Sequence, residues 1–223
     1  MDRLAKAKVA IFGIGGVGGY VAEALARSGV GSFVLVDDDK VCLTNINRQI
    51  IATRKTIGQY KAEVMRDRIL EINPDAQVEV RKCFYLPENA DEFDFTEYSY
   101  VVDAVDTVTA KLEIIMRAIS CEIPVISSMG AGNKLDASRL EVADIYQTSV
   151  CPLARVMRRE LKKRGVEKQT VIYSVEVPAK AICAGGEEHG RHSPASCAFV
   201  PPAAGYLMAS VGIRRLISLP PQN

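Results

Sequence analysis

The feature that most constrains the fold is a glycine-rich segment near the start of the chain, GIGGVG at residues 13–18. It follows a short apolar run, KVAIF, and precedes a stretch of small residues that ends at Gly29. A G-x-G-x-x-G motif between a strand and a helix lets backbone N–H groups at a helix N-terminus approach phosphates. Asp37 lies 19 residues after Gly18, where a carboxylate at a strand end can accept hydrogen bonds from ribose hydroxyls. The motif predicts an adenosine-nucleotide site; the alternative is a tight strand-to-helix turn that serves packing alone.

Strand-like and helix-like segments alternate through the first half of the chain, which is typical of a parallel sheet with crossover helices. Strands are expected over 33–39, 77–82, 100–106 and 124–129, and helices over 17–28, 60–73 and 109–121. Beyond residue 135 the pattern gives strands over 140–145 and 171–177 around a basic helix, then a polar loop, Ala184–Ser196, and an apolar helix over 203–217. The sequence therefore predicts an α/β fold with a doubly wound, Rossmann-like, mostly parallel sheet and a C-terminal strand and helix extension. Residues 1–135 are expected to form the nucleotide-binding domain and residues 136–223 an extension in the same globule, with a mobile loop.

Charged and amide side chains follow the predicted strands at the edge where ligands bind in such sheets. A triphosphate carries about three to four negative charges, so its site needs cations and a carboxylate that assists Mg²⁺, whereas an NAD site does not. The sequence supplies Arg48, Lys61 and Asp106 at this edge, with Asn45 and Gln49 beside them. This set favours ATP over NAD.

Each of these residues also has an ordinary structural interpretation. Arg48 and Lys61 are compatible with solvent-exposed surface charges, and Asp103 or Asp106 with the N-cap of a helix. An NAD-dependent enzyme would need a catalytic acid or base, and the two histidines, at positions 189 and 192, lie in the polar loop. The combination at one edge therefore favours a triphosphate site over any of the separate interpretations.

Composition limits the partners and the compartment. With 28 Lys and Arg against 27 Asp and Glu, the net charge is +1, so any electrostatic footprint for nucleic acid must be local. Six cysteines occur without a single C-x-x-C pair, which disfavours zinc and favours free thiols in a reducing compartment. No apolar run approaches the ~18 residues that span a bilayer, and MDRLAKAK lacks the apolar core of a signal peptide. We expect no zinc, no membrane span and a cytoplasmic location.

Taken together, the motifs resemble the adenylating domain of the ubiquitin-activating type, shared by MoeB, ThiF and HesA. The matching elements are GxGGxG, VDDDxVxxxNxxRQ, a lysine that opens a helix, and DAxD, within about the first 135 residues. The resemblance implies that an organic acid attacks the α-phosphate of ATP and releases pyrophosphate. It implies that Asp106 helps to position Mg²⁺ and that the catalytic residues are Arg48, Lys61 and Asp106. The implied nucleotide-binding residues are Gly13, Gly15, Gly16 and Gly18 for the phosphates, Asp37 for the ribose with Asp39 beside it, Asn45, Arg48 and Lys61 for the triphosphate, and Gln49 as a polar neighbour.

The second half resembles one branch of this family, the tRNA threonylcarbamoyladenosine dehydratases of the TcdA/CsdL type. The resemblance rests on CPLARVMRRELKKRG, SPASCAFVPPAAGYLMAS and the early GGYVAEALARSGVG, together with the absence of the two C-x-x-C zinc pairs of MoeB-like proteins. It implies activation of the threonyl carboxylate of a modified adenosine in tRNA, which then closes a ring with loss of water. The alternatives are adenylation of the C-terminus of a ubiquitin-like sulfur carrier and a non-catalytic nucleotide-sensing module.

The same resemblance implies a homodimer that works beside a cysteine desulfurase and sulfur-acceptor system. In the family, an arginine on an arm before the first strand reaches ATP in the partner subunit. Arg3 is the only arginine among the seven residues before Lys8, and its closeness to the strand predicts a poor position for that role.

A basic segment points to RNA independently of the resemblance. Its apolar side is expected to consist of Leu153, Val156, Met157 and Leu161, and Glu160 is the only acid within it. Such a stripe can follow RNA phosphates, although an ordinary solvated helix face is an equally simple interpretation. The predicted RNA-binding residues recur at helical spacing and are Arg155, Arg158, Arg159, Lys162 and Lys163.

Overall fold

A seven-stranded sheet forms the centre of the computed structural model, which describes residues 2–179 and 195–217. The strands are β1 Lys8–Phe12, β2 Ser32–Val36, β3 Gln77–Arg81, β4 Tyr100–Asp103, β5 Val125–Ser128, β6 Leu140–Asp144 and β7 Thr170–Ser174. Their order is β3-β2-β1-β4-β5-β7-β6, and only β6 runs antiparallel to its neighbour. The strands β2 and β3 lie on one side of β1, and the later strands lie on its other side, beginning with β4. Doubly wound sheets bind ligands at this point between β1 and β4, where the strand order reverses. The predicted fold class is confirmed.

Helices cover both faces of this sheet. They are α1 Asp2–Ala5, α2 Gly18–Arg27, α3 Lys61–Ile72, α4 Val108–Ser120, α5 Pro152–Lys163 and α6 Val200–Leu216. Val9 and Ile11 of β1 face a core shared with α2, α3 and α6, whereas Ala10 and Phe12 face a core that includes α4. A third apolar cluster joins α4, α5 and β7. Burial on both faces explains why the central strands read as continuous apolar runs.

The last helix packs closely against the first crossover helix. A Cβ added at Gly205 of α6 would lie 2.6 Å from the carbonyl oxygen of Val17 and 2.8 Å from Cβ of Tyr20, so only glycine fits there. The helix begins at Val200, three residues before the expected start at 203, because prolines are tolerated in the first turn of a helix. Residues 140–174 continue the same sheet, since β7 pairs with β5 and β6 with β7.

Several element boundaries differ from the sequence-based expectation, and the differences move polar residues into loops. β2 ends at Val36 rather than at residue 39, and β4 ends at Asp103 rather than at residue 106. The expected apolar side of α5 was wrong at Val156, which is exposed; the buried residues of this helix are Ala154, Met157 and Leu161.

Part of the sequence-based picture lies outside the described residues. Positions 184–194 of the predicted mobile loop, both histidines and Cys183 belong to that part. Within residues 2–179 and 195–217, no helix is long and apolar enough to cross a membrane. Arg3 is exposed, and its guanidinium donates to the carbonyl oxygen of Ile217 over 3.2 Å.

Candidate functional site

A cleft of about 370 Å³ opens at the carboxyl ends of β1, β2 and β4. Its walls come from the loop after each of these strands, the loop after β3 and the start of α6. Parallel strands place their carboxyl ends at one edge, so that residues distant in sequence meet there. The predicted site residues that line the cleft are Gly13, Gly15, Gly16, Asp37, Asp39, Asn45, Arg48, Gln49, Lys61 and Asp106. Gly18 lies behind them as the first residue of α2.

Gly13 fixes the path of the glycine-rich loop. Its φ of 89° lies in the left-handed region, and an added Cβ would lie 2.7 Å from the carbonyl oxygen of Ala104. Its N–H donates to the carbonyl oxygen of Val36, at the end of β2, over 2.9 Å. The loop after β1 is therefore held against the loops after β2 and β4, with no side chain between them.

Asp37 joins the glycine-rich loop to the end of β2. Its Oδ2 accepts from the backbone N–H of Ile14 over 2.6 Å, and its Oδ1 accepts from the N–H of Asp39 over 2.9 Å. Burial raises the pKa of the Asp37 carboxyl above its ordinary value, while the Lys61 cation and both N–H donors oppose that rise. Each carboxylate oxygen has a further lone pair, so the group can still accept from a hydroxyl in the cleft.

Lys61 brings a sheltered cation to the cleft. It is the first residue of α3, its side chain is only 8% exposed, and its Nζ lies 2.6 Å from Oδ2 of Asp39. Asp39 itself is 66% exposed. A nearly buried ammonium held by an exposed carboxylate can exchange that partner for another anion at little cost, because the carboxylate remains hydrated.

The loop after β2 supplies a second cation and two amides. Oδ1 of Asn45 accepts from the N–H of Cys42 over 3.1 Å, which shapes the turn. The guanidinium of Arg48 donates to the carbonyl oxygen of Thr44 and to Oδ1 of Asn47, so no carboxylate neutralises it among the described residues. Oε1 of Gln49 is buried without a hydrogen-bond partner in the same part of the chain. A buried unpaired amide beside the phosphate loop fits a ligand that completes its hydrogen bonds.

Asp106 and Asp103, close in sequence, have different environments. Asp106 is exposed on the cleft wall, and its carboxylate accepts only from Thr107 Oγ1, over 3.3 Å, among the described residues. Asp103 is completely buried and paired with Lys111 of α4. Thr107, not an aspartate, occupies the N-cap position of α4, so the N-cap interpretation of both aspartates was wrong.

The described residues contain no cluster of three or more Asp, Glu, His or Cys that could hold a metal ion alone. Mg²⁺ in nucleotide sites commonly takes one or two carboxylates, phosphate oxygens and waters. The exposed carboxylate of Asp106 on the cleft wall fits that mode, which does not require a site made entirely of protein ligands.

The basic helix α5 begins at the same edge of the sheet. An added Cβ on Gly130, just after β5, would lie 3.6 Å from Sγ of Cys151, the N-cap residue of α5. The basic side chains of this helix differ in their partners. Arg158 donates to the carbonyl oxygen and hydroxyl of Thr148, whereas Arg159 and Lys163 form ion pairs with Glu160. Arg155 and Lys162 are exposed and make no ion pair within the described part of the chain.

Sequence reasoning missed two parts of the cleft. The loop after β3 contributes Cys83, Phe84 and Tyr85, and the C-terminal segment contributes Ser196 and Pro201. The first was accessible from sequence, because β3 is parallel to β2 and must end at the same edge. The second was not, since nothing local in the sequence shows that α6 returns to the glycine-rich loop.

Comparisons with known proteins agree with this geometry. The chain is 42% identical over 220 residues to the tRNA threonylcarbamoyladenosine dehydratase of Bacillus subtilis, an alignment that covers 93% of this chain and 86% of that protein. The crystal structure of Escherichia coli tRNA N6-threonylcarbamoyladenosine dehydratase in complex with ATP matches with a TM-score of 0.88 and 35% identity, over 97% of this chain and 88% of that one. The E. coli sulfur carrier protein ThiS adenylyltransferase is 34% identical over 136 residues, covering 60% of this chain and 54% of that protein. The ThiF family model matches residues 1–222, and the chain therefore belongs to the ThiF family.

Proposed function

We propose that this protein uses ATP to dehydrate N6-threonylcarbamoyladenosine in tRNA by adenylating the threonyl carboxylate. The observation that carries the proposal is the convergence of Lys61, Arg48 and Asp106 on one cleft with the glycine-rich loop. Similarity along nearly the whole chain to dehydratases that bear this name supports the substrate.

In the first step, a carboxylate oxygen of the substrate attacks the α-phosphorus of ATP, and the bond to the β-phosphate breaks. The acyl-adenylate and pyrophosphate are the products. Backbone N–H groups of residues 13–18 would hold the phosphates, Asp37 the ribose, and Arg48 and Lys61 the charge of the leaving pyrophosphate. Mg²⁺, held by the phosphates and Asp106, would neutralise negative charge on the phosphate oxygens.

In the second step, a nucleophilic atom within the threonylcarbamoyl group attacks the activated carbonyl carbon. AMP leaves with the former carboxylate oxygen, and the proton of the nucleophile passes to solvent. The substrate has lost the elements of water, and ATP has become AMP and pyrophosphate. The reaction needs no nucleophile from the protein, because the group that closes the ring belongs to the substrate. Adenylation is required because AMP is a far better leaving group than oxide.

The basic face of α5 would hold the tRNA backbone. Arg155 and Lys162 lie seven residues apart, or about 10 Å along the helix, and their charges are not neutralised by a described acid. Arg159 and Lys163 would contribute after exchanging Glu160 for phosphate, whereas Arg158 would act mainly by fixing the helix to Thr148. This helix starts at the edge of the sheet that contains the cleft, so bound RNA could present one base to ATP.

We further infer from the family resemblance that the enzyme acts as a homodimer in the cytoplasm, beside a cysteine desulfurase and its sulfur acceptor. Size-exclusion chromatography with light scattering tests the dimer. Co-purification with a desulfurase at stoichiometric yield tests the second partner, and consistent absence of that complex would refute it.

The decisive experiment is mass spectrometry of nucleosides from threonylcarbamoylated tRNA after incubation with the protein, ATP and Mg²⁺. We expect the modified adenosine to lose 18 Da, the mass of one water, with AMP and pyrophosphate formed in equal amounts. Unmodified tRNA and the Asp106→Ala variant should give neither product, while Asp67→Asn, on the exposed surface of α3, should behave as wild type. Formation of ADP would refute the adenylation chemistry.

The sulfur-carrier alternative makes a different prediction. A carrier that ends in Gly-Gly would stimulate exchange of pyrophosphate into ATP, and threonylcarbamoylated tRNA would not. A nucleotide-sensing module would bind ATP without any release of pyrophosphate. Tighter binding of NADH than of ATP would instead favour an oxidoreductase.

A further inference from the structure

A fully buried ion pair lies directly beneath the cleft. The side chains of Asp103 and Lys111 are both 0% exposed, and Nζ of Lys111 lies 3.1 Å from each carboxylate oxygen of Asp103. The same ammonium donates to the carbonyl oxygen of Ser128 over 2.6 Å. Three hydrogen bonds from one cation thus connect the ends of β4 and β5 to the first turns of α4.

The pair belongs to a larger polar network. The carboxylate of Asp103 also accepts from the backbone N–H of Val105 over 3.3 Å, and Ser127 of β5 is the residue paired with Asp103 across the sheet. The hydroxyl of Ser127 in turn accepts from Nε2 of Gln169 over 3.2 Å, just before β7. β4, β5 and α4 therefore share a buried polar cluster at the cleft edge, and Gln169 reaches Ser127 from the amino end of β7.

Stability alone is a weak explanation for this pair. Removing two charges from water costs several kcal/mol per ion, and apolar replacements of buried pairs are often neutral or stabilising. A buried pair instead imposes one geometry on the segments that it joins. Asp103 precedes Asp106 by three residues and Lys111 follows it by five, so the network holds both ends of the loop that presents Asp106.

The same loop also touches the glycine-rich segment. The N–H of Ala104 donates to the carbonyl oxygen of Phe12 over 2.8 Å, and the carbonyl oxygen of Ala104 is the first atom that a Cβ added to Gly13 would meet. These backbone contacts do not involve the side chains of Asp103 and Lys111, so loss of the pair should release mainly the loop at Asp106 and leave the glycine-rich segment in place.

We propose that Asp103 and Lys111 are positioning residues, which hold the carboxylate of Asp106 where it can share Mg²⁺ with the phosphates of ATP. This inference rests on the proposed function for the role of Asp106. It assigns the pair no contact with substrate.

The test compares ATP affinity with Mg²⁺ and with EDTA, measured by isothermal titration calorimetry on the full chain. The variant Asp103→Asn/Lys111→Met removes both charges and keeps side chains of similar size. Loss of such supporting contacts commonly costs ~10–100-fold in metal affinity or activity, so we expect the gain in ATP affinity from Mg²⁺ to fall at least about tenfold. ATP affinity in EDTA should change less than about threefold.

Two further variants separate positioning from general structural damage. In an Asp106→Ala background, neutralising the pair should cause no additional loss of the Mg²⁺ effect, because the carboxylate that it positions is gone. Glu23→Gln disrupts another sheltered pair, with Arg68 over 2.5 Å, away from the cleft, and should leave the Mg²⁺ effect unchanged. If the double variant does not fold, Ser127→Ala removes the hydroxyl of the residue paired with Asp103 across β4 and β5 and should reduce the Mg²⁺ effect by about threefold.

Equal loss of affinity in Mg²⁺ and EDTA, or additive losses with Asp106→Ala, would overturn the inference. So would a wild-type protein whose ATP affinity is independent of Mg²⁺. Because the assay contains no tRNA, a protein that binds ATP with Mg²⁺ as expected but leaves the modified adenosine unchanged would refute the proposed function and not the role of this pair.

Discussion

Lys61→Met is the most informative single substitution, because the structure predicts a large loss of activity and only a small loss of stability. Methionine keeps most of the shape of the lysine side chain and removes its charge. The side chain is 8% exposed, so its ammonium can meet an anion in the cleft without first leaving bulk water. Its partner, Asp39, is two-thirds exposed and becomes fully hydrated once the pair is broken.

The magnitudes follow from these exposures. A unit charge about 4 Å from a phosphate oxygen at an effective dielectric constant of about 20 is worth about 4 kcal/mol. Compensation by solvent reduces this, and we expect about 3 kcal/mol, or ~10²-fold, in kcat/KM for ATP. A pair with an exposed partner contributes at most about 1 kcal/mol to folding, so Tm should fall by less than about 4 °C.

The assay is pyrophosphate release at varied ATP concentrations with saturating threonylcarbamoylated tRNA, beside thermal unfolding of the same samples. Lys82→Met is the matched control, since Lys82 pairs with Glu63 over 3.0 Å and does not line the cleft. Wild-type kcat/KM in Lys61→Met would refute the role of this lysine in binding the triphosphate. A large fall in Tm would show that the ion pair stabilises the fold instead.

Three other predictions test the loop, the electrostatics and the RNA surface. Gly13→Ala should destabilise the protein by about 1–3 kcal/mol and weaken ATP binding, because φ is 89° and the new Cβ meets a carbonyl oxygen. Calorimetry that shows the wild-type free energy of unfolding and the wild-type affinity for ATP would contradict this prediction. Burial alone would raise the pKa of Glu23, but hydrogen bonds from its arginine partners outweigh burial and lower it below 4.5. Stability from this pair is therefore complete above about pH 4.5 and lost at lower pH, so Glu23→Gln should cost about 1.5–3 kcal/mol in urea unfolding at pH 7 and progressively less in acid. Arg155→Ala and Lys162→Ala should each lower the slope of log Kd for tRNA against log salt by about one and leave ATP binding unchanged, whereas an unchanged slope would remove α5 from the interface.

The sequence was sufficient for the parallel sheet and most of the cleft, for a physical reason. Residues at the ends of parallel strands meet at one edge whatever the details of packing, so Asp37, Lys61 and Asp106 could be grouped without coordinates. The glycine pattern predicted the loop after β1 equally well, because a left-handed φ and a close backbone contact at Gly13 exclude other residues at that position.

Side-chain partnerships could not be predicted in this way. Lys111 lies in a helix where a lysine ordinarily reaches solvent, and only the packing of α4 over β4 and β5 turns its ammonium inward. Arg158 has the spacing of a surface stripe, yet its guanidinium donates hydrogen bonds to the carbonyl oxygen and the hydroxyl of Thr148. In both cases the partner lies on another segment, and a pattern along one helix contains no information about it.

Helix α6 joins the far end of the chain to the nucleotide cleft. Pro201 lines the cleft next to Gly16, and one turn later the helix packs closely against the backbone of Val17 at Gly205. Local opening of this helix and occupancy of the cleft are consequently coupled equilibria. At saturating ATP, the factor by which the nucleotide slows amide hydrogen exchange in α6 must equal the factor by which opening of α6 weakens the affinity for ATP.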